Sequence, residues 1–111
     1  MSRAEPRLSG DPAPLFAALG DRTRLSLLMT LSDGRRRSIT ALSADSRLTR
    51  QAVTKHLRVL EQVGLVESVR DGRESCFTCR PEPLEAARAY LNRVAAQWDD
   101  ALGRLKAFVE E

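Results

Sequence analysis

Histidine and cysteine are scarce in this sequence, and each shortage removes a class of function. One histidine and two cysteines stand among its 111 residues. The lone His56 cannot build a conventional zinc site, which draws on several nitrogen, sulfur or carboxylate ligands. Cys76 and Cys79 do not make the disulfide framework of a small secreted domain. No apolar run approaches the roughly 20 residues that a transmembrane helix needs. The opening residues, MSRAEPRLSGDP, lack the apolar core of a signal peptide, so a cytoplasmic location is expected. No nucleophile–base constellation, phosphate-cradling glycine loop or metal-ligand set is visible. An enzyme is therefore not expected, and no cofactor is implied.

What is present points to one soluble globular domain. Hydrophobic residues make up 42% of the chain and charged residues 30%, which suits a folded rather than a disordered protein. A chain of this length buries a modest core and gains from oligomerisation. Residues 1–11 read as a disordered polar tail and residues 12–111 as the domain. The net charge is +3, but it is unevenly spread. Residues 1–33 are neutral, residues 34–80 carry a net +5, and residues 81–111 a net −2. A basic middle is what a phosphate backbone would meet, although a merely solvated face would have the same composition.

The pattern of apolar residues predicts a mainly helical fold with a small β-hairpin. A first short helix is expected from about Pro12 to Leu19, ended by Gly20. Asp21 caps a second helix, in which Leu25, Leu28 and Leu31 recur on one side and Leu27 broadens the stripe. Ser38 is the candidate cap of a short helix, ITALSA, with Ile39 and Leu42 inward. Asp45–Leu48 form a turn, and Thr49 caps a longer helix over residues 50–63 that Gly64 stops. Two strands, residues 65–70 and 74–79, flank an Asp71-Gly72 turn. Pro81 and Pro83 then lead into a last helix from Leu84 to about Val109. Helix, turn, helix and hairpin in that order make a winged helix-turn-helix.

The helix over residues 50–63 divides cleanly. Val53, Leu57 and Leu60 stack on one face, flanked by Ala52, His56, Val59 and Val63. Arg50, Gln51, Thr54, Lys55, Arg58 and Gln62 take the other half. Recognition helices contact base edges mostly from their N-terminal turns. Gln pairs bidentately with adenine, and Arg or Lys with guanine. Gln51, Thr54 and Lys55 are thus assigned to bases, and Arg50 and Arg58 to bases or phosphates. Arg70 and Arg73 bracket the hairpin turn and could reach the DNA backbone or minor groove. Arg35, Arg36 and Arg37 form a second basic cluster, read either as a phosphate contact or as a solvated loop. His56, on the apolar half, is expected to be packed.

In the last helix, Leu84, Ala87, Leu91, Val94, Trp98, Ala101, Leu105 and Phe108 alternate steps of three and four. This seam runs for roughly 38 Å at the helical rise, longer than a core of this size can cover. A second copy is the expected partner, through Leu91, Val94, Trp98 and Leu105 with Leu15 and Phe16 of the first helix. A twofold homodimer would present two recognition helices to a pseudo-palindromic double-stranded DNA site. The Cys76-x-x-Cys79 spacing is expected to be inert. Within a strand the two thiols point to opposite faces, with Cα atoms roughly 10 Å apart, whereas a disulfide needs less than about 7 Å. Cys79 is placed inward with Phe77, and Cys76 on the other face with Thr78.

These segments carry a family resemblance. LFAALGDRTRLSLLMTL, RQAVTKHLRVLEQVGLV, the DGR wing and the closing WDDALGRLKAFVEE resemble the ArsR-type winged-helix repressors over residues 13–110. The resemblance implies a homodimer joined by its first and last helices. It also implies repression, with operator recognition by Arg50, Gln51, Thr54, Lys55 and His56. Metal-sensing members often carry a cysteine pair in the short helix before the recognition helix, and ITALSA has none. Others use histidines along the last helix, which here has none. The expected function is a DNA-binding transcriptional regulator, acting as a homodimeric repressor without a metal site. Two rivals stand beside it. One is a thiol- or arsenite-responsive repressor using Cys76 and Cys79; the other is a protein-interaction module that keeps the fold without reading DNA.

Overall fold

The computed structural model describes residues 11–110. The expected tail therefore lies outside the described residues except for Asp11. The elements run α1 (Ala13–Leu19), α2 (Arg22–Leu31), β1 (Arg37–Ser38), α3 (Ile39–Ala44), α4 (Arg50–Gln62), β2 (Val66–Asp71), β3 (Glu74–Cys79) and α5 (Glu82–Glu110). The order is that of a winged helix-turn-helix. No helix among the described residues is long and apolar enough to cross a membrane.

Local chemistry sets the helix ends. The Asp21 carboxylate accepts from the Arg24 N–H at 3.0 Å, the Ser38 hydroxyl from Ala41 at 3.0 Å, and the Thr49 hydroxyl from Ala52 at 3.1 Å. Each satisfies a backbone donor that the first helical turn leaves without a partner. At the far end of α4, Gly64 takes φ +81. Its N–H donates to the Glu61 carbonyl at 2.9 Å, and the Leu65 N–H donates to the Leu60 carbonyl at 3.0 Å. This pair of bonds is the Schellman stop, and the buried Leu60 and Leu65 supply its apolar contact. Gly20 stops α1 differently, with an ordinary φ of −82.

The core collects one face of every helix around the sheet. Leu15 of α1, Leu27, Leu28 and Leu31 of α2, and Ile39 and Leu42 of α3 are buried together with Val53, Leu57 and Leu60 of α4. Phe77 of β3 is the largest fully buried side chain. On α2, Leu27 takes the place expected for Leu25, which is 45% exposed. Both positions fit the sequence periodicity, and the packing of α2 against α4 and β3 selects the former.

The sheet has three strands in the order β1-β3-β2, all antiparallel. The expected hairpin is present, but β3 is its central strand. Arg37 pairs with Phe77 and Ser38 with Cys76 on one side, while Ser68 and Val69 flank the same residues on the other. Cys76, expected on the face opposite Phe77, is nevertheless buried, as Phe77 is. Cys79 is half-buried against the core, as expected. The turn also shifts by one residue. Asp71 pairs with Glu74, so Gly72 and Arg73 are the central residues rather than Asp71 and Gly72. Gly72 has φ +64 and Arg73 does not have positive φ, as a type II′ turn requires.

Only the beginning of α5 rests on this body. Pro83 and Ala87 are buried, Leu84 is partly buried, and Tyr90 meets Phe16 with ring centroids 5.9 Å apart. Beyond Tyr90 the helix projects, and the molecule extends 68 × 38 × 21 Å.

Candidate nucleic-acid interface

The polar half of α4 emerges because its other half is consumed by the core. Val53, Leu57 and Leu60 are fully buried, and helical geometry then turns Arg50, Gln51, Thr54 and Lys55 outward. These four residues line one shallow open depression. Arg50, Gln51 and Lys55 make no side-chain hydrogen bond or ion pair among the described residues. Thr54 is half-buried, and its hydroxyl donates to the Arg50 carbonyl at 2.7 Å. Its lone pairs and methyl group remain for a ligand.

Arg58 is placed differently from its neighbours. Its guanidinium pairs with Glu61 at 2.9 Å and sits 5.7 Å from the centroid of Phe77. Glu61 also accepts from the Ser68 hydroxyl at 2.9 Å. The Arg58 hydrogen bond, aided by that of Ser68, holds the Glu61 carboxyl below the usual carboxylate range. Glu61 thus ties α4 to β2 through Ser68, and Arg58 lies over Phe77 of β3.

His56 is half-buried on the α2 side of α4, as its place on the apolar half suggested. Its Nδ1 lies 3.3 Å from the Arg24 guanidinium and 3.8 Å from the Asp21 carboxylate. Arg24 also donates to the carbonyls of Ala18 at 2.6 Å and Ala17 at 3.3 Å. One guanidinium therefore joins the end of α1 to the side of α4. Sequence reasoning missed Arg24, because no periodicity marks a residue that bridges three elements.

At the wing tip, Arg70 and Arg73 are exposed. The register also sets Asp71 directly opposite Glu74, a like-charge pair that weakens the tip. The tip thus carries two arginines and two acids, and its net charge is zero. Of the second basic cluster, Arg37 is committed elsewhere. It forms a bidentate pair with Asp33 at 2.9–3.0 Å and donates to the Thr30 carbonyl at 2.9 Å. Arg35 and Arg36 remain exposed.

The residues expected at a dimer interface divide. Leu15 is 1% exposed within its own chain, which corrects its assignment. It faces the core and has no surface to offer a partner. Phe16 is half-buried against Tyr90. Leu91, Trp98 and Leu105 are exposed by 52–64%, and Val94 is half-exposed. Leu102, Phe108 and Val109 widen the same apolar face.

Both thiols are free. Burial, then the nearby Asp71 and Glu74 carboxylates, push the Cys76 thiol up. Burial, then Glu82, does the same for Cys79. A raised pKa disfavours the thiolate, the form that attacks oxidants and binds soft metals.

Comparison with known proteins agrees with this architecture. A helix-turn-helix domain family matches residues 19–69. An uncharacterised HTH-type transcriptional regulator, YuzN of Bacillus subtilis, is 38% identical over 84 residues, covering 70% of this chain and 91% of the relative. An ArsR-like transcriptional regulator from Rhodococcus superposes with a TM-score of 0.77 at 36% identity, over 91% of this chain and 94% of the other. The chain belongs to the ArsR-type winged helix-turn-helix transcriptional regulators. HlyU from Vibrio cholerae superposes with a TM-score of 0.64 at 26% identity, over 81% and 97%. As a member of this family the protein is a transcriptional regulator with a helix-turn-helix DNA-binding domain.

Proposed function

We propose that this ArsR-type regulator is a homodimeric repressor that reads a pseudo-palindromic operator through α4. The observation that carries the assignment is the unpartnered set Arg50, Gln51 and Lys55, side by side on the first turns of a capped helix. In a folded chain, arginines near acids tend to be paired, as Arg37, Arg58 and Arg80 are with Asp33, Glu61 and Glu67. Residues left outward and without partners are available to base edges. Gln51 and Lys55 are assigned to bases, with Thr54 completing the contact. Arg50 takes a base or a phosphate. Arg58, paired with Glu61, offers its exposed edge to a base or the backbone. Arg70 and Arg73 approach the backbone from the wing tip.

The second copy docks along α5, where Leu91, Val94, Trp98 and Leu105 leave an apolar face open, with Phe16 at its edge. Two recognition helices related by a twofold axis would then meet half-sites about 34–36 Å apart. A cytoplasmic location accords with this role.

Selection of bound duplexes from a random pool tests the reading. Recovery of an inverted repeat is expected. On that duplex, Gln51→Ala should cost about 1–3 kcal/mol, roughly 5- to 150-fold in affinity, and should relax specificity at one base pair in each half-site. Unselective recovery, together with binding that barely changes with salt, would sink the proposal.

A further inference from the structure

We infer that a recess between the first turn of α2 and the α3–α4 turn is a second DNA contact, one that takes a backbone phosphodiester at the edge of the major groove. The inference rests on the DNA-binding reading above and extends it to residues on two further elements. The recess has a volume of about 280 Å³. Arg22, Thr23 and Ser26 border it from α2, Arg47 borders it from the turn, and Leu27 and Val53 belong to its apolar lining.

Its charge is one-sided. No carboxylate lines it. Arg22 and Arg47 are both exposed, and neither pairs with an acid among the described residues. Two guanidiniums border one recess without a counter-ion. Each guanidinium presents a planar fork of donors that matches two phosphate oxygens. The Thr23 and Ser26 hydroxyls supply neutral donors beside them. The Arg24 N–H is not a ligand, because the Asp21 carboxylate already accepts from it.

Position selects a DNA phosphate as the occupant. Val53 of α4 lines the recess, so the recess lies against the N-terminal half of the recognition helix. His56, one turn on, touches Arg24 of α2, which fixes the first turn of α2 along the flank of α4. A helix seated in a major groove about 12 Å wide has a phosphate strand on each side. The wing rises from the C-terminal side of α4, joined through Arg58 and Glu61. The recess serves the opposite flank. Such contacts set register and orientation without reading sequence.

The test measures how affinity falls with sodium chloride for wild type and for the Arg22→Gln/Arg47→Gln double variant. Both are run on a selected duplex and on an unrelated duplex. Each lost phosphate contact is expected to flatten the slope of log K against log salt by about 0.9 per bound protomer. The double variant should lose affinity by the same factor on both duplexes, and each single variant should show half of the slope change. The Arg22→Lys/Arg47→Lys variant, which keeps the charges, should restore the slope. A wild-type slope in the double variant overturns the inference, while a Gln51→Ala defect in the same assay leaves the α4 reading intact. A flat slope in wild type itself overturns both. Titration of inorganic phosphate into the DNA-free protein separates the other source of the same chemistry. Saturable binding lost in the double variant, with the DNA slope unchanged, would assign the recess to a free anion and overturn the DNA contact.

Discussion

Asp33 and Arg37 lie either side of a glycine turn and share a bidentate ion pair in the open. The Arg37 hydrogen bonds, then the Arg35 N–H, hold the Asp33 carboxyl well below the usual carboxylate range. A carboxyl more acidic in the folded chain than in the unfolded one stabilises the fold above its unfolded pKa of about 3.9. That contribution fades as pH falls from there toward the folded value. Asp33→Asn is therefore expected to lower the thermal midpoint slightly at pH 7. The gap from wild type should narrow steadily below about pH 4, as seen in calorimetric scans. The effect is small because the pair is exposed and screened by solvent. At this scale the sequence was legible where a side chain acts on its own helix. Thr49 as a cap and His56 on the packed side of α4 both follow from position alone. Arg37, Arg58 and Arg24 did not, because the sequence shows three basic residues and gives no means of telling a solvated one from a paired one.

Among the elements, the stop of α4 is the joint on which the wing depends. Gly64 turns the chain out of the helix so that Leu65 can bury itself and β2 can begin. Its φ of +81 lies in the left-handed region, which costs a residue with a Cβ about 1–2 kcal/mol. A Cβ there would sit 3.5 Å from the Pro83 ring, an ordinary contact, so the backbone term stands alone. Gly64→Ala is expected to lower stability by about 1–2 kcal/mol in urea unfolding, with the slope unchanged. A neutral result would mean that the stop tolerates a right-handed residue. The helices themselves were readable in advance, since their apolar period and caps are local properties. β1 was not. A strand of two residues, Arg37–Ser38, has no periodicity to detect, and only its pairing with β3 creates it. Its Ser38 pairs with the buried Cys76. The hairpin turn moved by one residue for a similar reason, since Asp71-Gly72 and Gly72-Arg73 both supply a glycine and the register of β2 against β3 chooses between them.

For the whole molecule, α5 is out of proportion to the body that carries it. Its 29 residues span about 43 Å, yet only its first turns are packed. Trp98 is 64% exposed and Phe108 is 76% exposed. An apolar face that long, left in water, favours association. Leu105→Asp places a charge in the middle of that face without touching the core. It is expected to shift the protein from dimer to monomer in sedimentation equilibrium, with the far-ultraviolet dichroism retained. Operator affinity should fall on the order of 10²-fold, as the second half-site ceases to be tethered. A variant that remains dimeric would place the interface elsewhere. Local chemistry governs the part of this protein that is readable from residue order. The helices, their caps and the outward face of α4 follow from residue spacing, and the family from the resemblance of whole segments. The Arg58–Glu61 and Arg37–Asp33 pairs lie within four residues of chain. Only the packed fold withdraws Leu15 into the core, lays Arg58 over Phe77 and leaves Arg22 and Arg47 open beside α4. Those arrangements depend on neighbours distant in the chain, which meet only once the helices have packed around Phe77.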